Sequence, residues 1–227
     1  MLSGEVDVDA DSIAQRLAES LSFATISHRD EAKVERAPFM ALRAWAAQRY
    51  PLLHDPALVE RHDVGEGQLF ILRGSEPLEA PLLLLAHTDV VPVEGASREA
   101  WTHAPFGGVI ADGYVWGRGA LDDKASAISI YEAMEALLRA GIQPRRTLIA
   151  AIGEDEEVRG LRGARRLAAL LEELEIEPFM VLDEGMALLD GAFDGVEPLV
   201  GLIGVTERGY GQDCRAQGSR GPCHDRP

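Results

Sequence analysis

His87 and Asp89 follow the apolar run Leu82 to Leu85, Glu154-Asp155-Glu156-Glu157 follows Leu148 to Ile152, and Asp183-Glu184 follows Phe179 to Leu182. A further acid, Asp122, opens a helical pattern after Gly117-Arg118-Gly119-Ala120. One imidazole with several carboxylates is a donor set that suits zinc, and a carboxylate can bridge two ions about 3.5–4 Å apart through its two oxygens. Asp122 is the bridging candidate. Asp89 stands two residues from His87 on the same side of an extended segment, where it can accept from the second ring nitrogen and fix the tautomer. Neighbouring side chains diverge, so one of Glu156 and Glu157 can bind metal while the other faces a metal-activated water as general base. That combination hydrolyses amides.

Each group alone has a plainer explanation. A histidine after a strand is commonly a hydrogen-bonded loop residue, and acids before a helix commonly cap it and complement its dipole. The elements behind them argue for the joint reading. Short apolar runs bounded by turn residues, at Leu69–Leu72, Leu82–Leu85, Leu148–Ile152, Phe179–Leu182 and Leu199–Val205, read as strands. Between them Ala125–Ala140 and Leu161–Leu174 read as helices, and two more precede them. The first carries Ile13, Leu17 and Leu21 behind Asp9 and Asp11. The second, Val34 to Tyr50, has Phe39, Leu42, Trp45 and Ala46 on one face and is stopped by Pro51. Strands alternating with helices predict an α/β fold, a mostly parallel sheet covered by helices on both faces. Ligands of such sheets bind beyond the carboxyl ends of the strands, where all these acids fall.

The acids outnumber the bases 38 to 22, a formal charge of −16 that opposes attraction to nucleic-acid phosphate or anionic lipid. No nucleic-acid or membrane partner is expected. The N-terminus lacks a basic start and an apolar run, and no later apolar stretch is long enough to span a bilayer, so the cytoplasm is the expected location. Cys214 and Cys223 allow one pair and no disulfide framework. A nucleotide-binding domain is disfavoured, because Gly117-Arg118-Gly119 lacks a third glycine at phosphate-loop spacing and no Gly-Lys-Ser/Thr occurs.

Several stretches together carry a family resemblance: Ala86-His87-Thr88-Asp89-Val90-Val91-Pro92-Val93, Pro105-Phe106-Gly107, Asp112 through Lys124, Gly153 through Val158, and Leu182-Asp183-Glu184-Gly185. In order and spacing, from about residue 8 to Tyr210, they resemble the zinc aminoacylase and carboxypeptidase family, and within it the carboxypeptidase S branch. The resemblance implies a zinc exopeptidase-like catalytic domain. His87, Asp122 and Asp183 would hold one zinc, and Asp122 and Glu157 the other, with a late histidine. Glu156 would be the general base and Asp89 would orient His87. Two Zn2+ ions are implied per complete active site, with cobalt or manganese as possible substitutes. The implied reaction is hydrolysis of a peptide or N-acyl amide bond beside a free carboxylate, on small peptides or N-acyl amino acids, by an enzyme whose full-length relatives form homodimers.

The expected division is residues 1–205 as an incomplete catalytic domain and 206–227 as the stub of an inserted dimerisation domain that is otherwise missing. None of His28, His54, His62 and His103 has the position of the late histidine. The polar, Gly- and Arg-rich tail after Tyr210 loses all strand pattern. It is expected to be a frameshifted segment in which His224 has no role. A chain lacking those groups could be a non-catalytic metal-binding fragment, and this is the competing expectation.

Overall fold

The computed structural model describes Val6, residues 8–184, Leu188–Leu189, Gly195 and Val200–Gly201. Helix α1 (Ala10–Leu21) starts at Asp9, whose carboxylate accepts from the Asp11 backbone N–H and so satisfies one of the free donors of the first turn. Helix α2 (Arg36–Arg49) carries Pro38 in its first turn, where a missing N–H costs nothing, and buries Phe39, Leu42 and Ala46. The hairpin β1 (Glu60–Val64) and β2 (Gly67–Leu72) turns on two residues, the first of which, Gly65, has φ +62. Strand β3 (Leu82–His87) follows, then the single-turn helix α3 (Gly95–Arg98). The small hairpin β4 (Val109–Ala111) and β5 (Tyr114–Trp116) turns on Asp112-Gly113. Helix α4 (Lys124–Arg139), β6 (Leu148–Gly153), α5 (Gly163–Glu173) and β7 (Met180–Leu182) complete the order.

The main sheet has the spatial order β1-β2-β6-β3-β7. It is mixed, with parallel pairing of β6, β3 and β7 and antiparallel pairing of β1, β2 and β6. The expectation of a mostly parallel sheet thus describes the half that bears the acids. β1 and β2 run antiparallel because the turn that joins them is too short for a crossover. Alternation along each strand divides the interior in two. Phe70, Leu72, Ala86, Ala150 and Ile152 face one side with Tyr50, Tyr131 and Met134 from the α2 to α4 layers. Leu69, Ile71, Leu83, Ile149 and Ala151 face the other, where Leu167 of α5 meets them.

The chain divides into two compact units, Met1–Glu184 and Gly185–Pro227. In the second, β8 (Leu188–Leu189) pairs antiparallel with β9 (Val200–Gly201), which occupies part of the strand expected over 199–205. The remainder of that strand, the expected boundary after residue 205, both cysteines and the tail with His224 lie outside the described residues. Among the described residues no helix is long and apolar enough to cross a membrane.

Candidate metal centre

His87 is the last residue of β3 and is 3% exposed. Its Nδ1 lies 3.1 Å from the Asp89 carbonyl oxygen and 3.3 Å from Asp89 Oδ1. Both are acceptors, so Nδ1 must donate, and Nε2 is left to face the carboxylates. Asp122 Oδ1 stands 3.1 Å from Nε2, Glu184 Oε1 3.7 Å and Glu156 Oε2 3.8 Å. The donor atoms of His87, Asp122 and Glu184 lie within 4.8 Å of one another, close enough to share one ion.

The supporting residues explain this convergence. Asp89 is fully buried, and besides holding the imidazole it accepts from the Glu156 N–H at 3.1 Å and the Glu157 N–H at 3.2 Å. It therefore lies where an orienting carboxylate would, and its oxygens also accept from the Glu156–Val158 turn. Asp123, joined to Asp122 by a cis peptide, accepts from the His87 backbone N–H at 3.2 Å. Lys124, 1% exposed, donates from Nζ to the Ser20 and Phe23 carbonyls, tying the start of α4 to the end of α1. The turn before it crosses at Gly119, φ +89, where an added Cβ would lie 2.8 Å from Val90. Asp155, buried, accepts from the N–H groups of Arg162, Gly163 and Ala164 and so starts α5. Asp123, Lys124 and Asp155 had no assigned part in the sequence reading, since nothing in their spacing distinguishes a buried charge from a surface one.

The field at this point is negative. Burial opposes a charge on His87, yet the hydrogen bond and charge of Asp89, with Asp123 and Glu184, raise its pKa to about 10. Glu184 is pushed up to about 7, first by burial and then by the carboxylates around it. Burial also raises Glu156 and Glu157, with Asp89 and Asp122 adding to it. An imidazole and several acids all shifted toward holding protons mark a place that favours a cation. The imidazole and carboxylate donors fit a divalent metal.

Of the six residues expected at the site, the structure brings His87, Asp89, Asp122 and Glu156 together as described. Glu157 shares its turn with Glu156, and its N–H donates to the second Asp89 oxygen. Asp183 lines the cavity beside His87, while its Oδ1 accepts from the Glu184 N–H at 2.9 Å. The neighbouring Glu184 supplies the third clustered donor. The Leu182–Gly185 motif contains it, but spacing does not separate it from the adjacent Asp183.

Comparison with known proteins places this geometry in context. Peptidase family M20/M25/M40 matches residues 83–207, more than half of the chain. N-fatty-acyl-amino acid synthase/hydrolase PM20D1 of Xenopus tropicalis is 41% identical over 162 residues, covering 70% of this chain and 31% of the relative. Probable carboxypeptidase S-like 2 of Dictyostelium discoideum is 36% identical over 202 residues, covering 87% and 38%. Among solved structures, the M20 family metallo-carboxypeptidase Sso-CP2 of Sulfolobus solfataricus superposes with a TM-score of 0.59 at 20% identity. The match covers 80% of this chain and 38% of that one, a likeness of fold. The chain spans about a third of the length of the curated relatives it matches.

Proposed function

The chain belongs to peptidase family M20/M25/M40, and on that premise we propose that it carries the metal-binding, base-bearing part of a hydrolase of peptide or N-acyl amide bonds beside a free carboxylate. The observation that carries this reading is the meeting of His87, Asp122 and Glu184 donors within 4.8 Å, with Glu156 3.8 Å from His87, at the carboxyl ends of parallel strands.

Zinc is the proposed metal, and when bound it would acidify a water and polarise the substrate carbonyl. His87 and Asp122 would hold it, Asp122 and Glu157 would serve a second ion, and Asp89 keeps the His87 tautomer that leaves Nε2 free. The Glu156 carboxylate takes a proton from the attacking water and passes it to the departing amine nitrogen, so that amide and water become carboxylate and amine. Burial of Glu156 raises its proton affinity, which suits a group that must both accept and release a proton. The last ligand of the first ion comes from the exit of β7. Motif order favours Asp183, and donor geometry favours Glu184.

Calorimetric zinc titration tests the assignment. One equivalent should bind with release of a proton, and His87→Ala should abolish binding. Of Asp183→Asn and Glu184→Gln, only the variant that removes the ligand should lose affinity by orders of magnitude. Binding that survives His87→Ala would sink the reading. A non-catalytic metal-binding role is the second reading, which the clustered donors of His87, Asp122 and Glu184 also fit. It separates from the first by metal uptake without turnover of N-acyl amino acids or dipeptides.

A further inference from the structure

A cavity of about 300 Å³ lies between α2 and the β1–β2 hairpin, and in the sheet β6 separates β2 from the β3 strand that bears His87. One wall is a stripe of α2, where Met40, Ala44 and Ala47 recur at helical spacing and the two alanines are too small to fill the space. The other wall holds His54, Arg61 of β1 and Gln68 of β2. Gln68 is 3% exposed, and its amide is oriented by Asp63, whose Oδ1 accepts from Gln68 Nε2 at 3.0 Å. A carboxylate takes only the NH2 of the amide, and the remaining Oε1 has no partner among the described residues. His54 repeats the pattern. Its Nδ1 lies 2.9 Å from the Tyr50 carbonyl oxygen and must donate, which leaves a lone pair on Nε2. That atom too has no partner among the described residues. Burial, together with the Arg61 charge, holds the His54 pKa below its ordinary value and keeps the ring neutral.

The charge at this pocket is positive. Arg43, which also lines it, and Arg61 both reach Asp63, at 2.7 and 3.4 Å, so that two guanidiniums share one carboxylate. In a chain of formal charge −16 this is a local reversal of sign. We propose that the pocket binds a small polyhydroxylated carboxylate, a sugar acid in chemical class, with its carboxylate at Arg43 and Arg61 and two hydroxyls donating to Gln68 Oε1 and His54 Nε2. The lining selects this occupant by elimination. An apolar ligand leaves both acceptors unpaired, and an unpaired buried acceptor is costly. An ammonium group brings the hydrogens together with a positive charge, which the two guanidiniums repel. A bare carboxylate answers the charge and leaves the acceptors as they were. Hydroxyls donate without charge, and the C–H groups of a short sugar chain lie against Met40, Ala44 and Ala47.

The test uses the whole chain without metal, so that a hydroxy acid has no ion to chelate. D-Gluconate should bind saturably in calorimetry, tighter than acetate by roughly tenfold or more. His87→Ala should leave that binding unchanged, because the pocket and the metal-binding groups stand on different strands. Arg61→Gln, on the exposed edge strand β1, and Ala44→Phe, on the exposed side of α2, should each weaken gluconate by roughly tenfold or more while helical content holds. Where the phenylalanine unfolds the chain, Arg61→Gln decides alone. No saturable gluconate binding, equal affinity for gluconate and acetate, or full gluconate affinity in Arg61→Gln overturns the proposal. Tighter binding of L-serine than of gluconate overturns it as well, since the acceptors would then take an ammonium group. Loss of gluconate binding in His87→Ala would move the ligand to the metal centre and overturn it too.

Discussion

The two faces of the central sheet are covered unequally. On one, α1, α2 and α4 enclose Tyr50, Phe70 and Tyr131, whose rings pack at centroid distances of 5.3 and 5.8 Å. There Arg16 of α1 pairs with Glu132 of α4, which also accepts from the Tyr50 hydroxyl at 2.8 Å. On the other face, among the described residues, α5 covers β1, β2 and β6. β3 is left partly open beside it, and Phe179, Met180, Val181 and Leu182 are 47–64% exposed. The comparison teaches that rigidity and access are divided by face. The closed side fixes the strands, and the metal-binding groups stand at the rim of the other face.

Substitutions at the rim should therefore cost chemistry, and substitutions on the closed face should cost stability. The largest effect expected is that of Glu156→Gln in a metal-loaded, turnover-competent protein. Hydrolysis falls by roughly 10²–10⁴-fold, the usual range for a lost general base, while metal content and melting temperature hold. A normal rate would reduce Glu156 to a turn residue. Phe70→Ala on the closed face should cost about 3–5 kcal/mol in urea unfolding and leave zinc affinity per folded molecule unchanged. If affinity fell in parallel, the two faces would not be separable. Leu167→Ala on the α5 face should cost less, about 2–3 kcal/mol, the low end for a buried leucine, because one side of it already borders a cavity. An equal loss at Leu167 and Phe70 would erase the contrast. The smallest effect is on pH. With its pKa raised to about 10, His87 carries a proton below that value, and metal must displace it. Zinc affinity should rise by up to about tenfold per unit from pH 6 to 8. A flat profile there would place the displaced proton elsewhere.

Much of the closed face was legible in the sequence because burial leaves a periodic trace. The helix caps at Asp9 and the apolar runs of β2, β3 and β6 mark their own positions, and the strand ends then locate His87, Glu156 and Asp183. Strand β1 left no such trace. Glu-Arg-His-Asp-Val is a polar segment held by its register with β2, and its one signal is the turn at Gly65. Asp112-Gly113 did carry a hairpin signal, which the motif around it obscured. The buried charges Asp123, Lys124 and Asp155 were not legible, because their partners are backbone groups brought near by the fold. The choice between Asp183 and Glu184 depends on side-chain direction at the end of a three-residue strand, which spacing does not encode.

Asp89 touches His87 and the turn that carries Glu156 and Glu157 through one carboxylate. The ligand and the base are thus mounted on a common bracket. A substitution that moves the Asp89 carboxylate therefore disturbs the imidazole and the turn that carries Glu156 together.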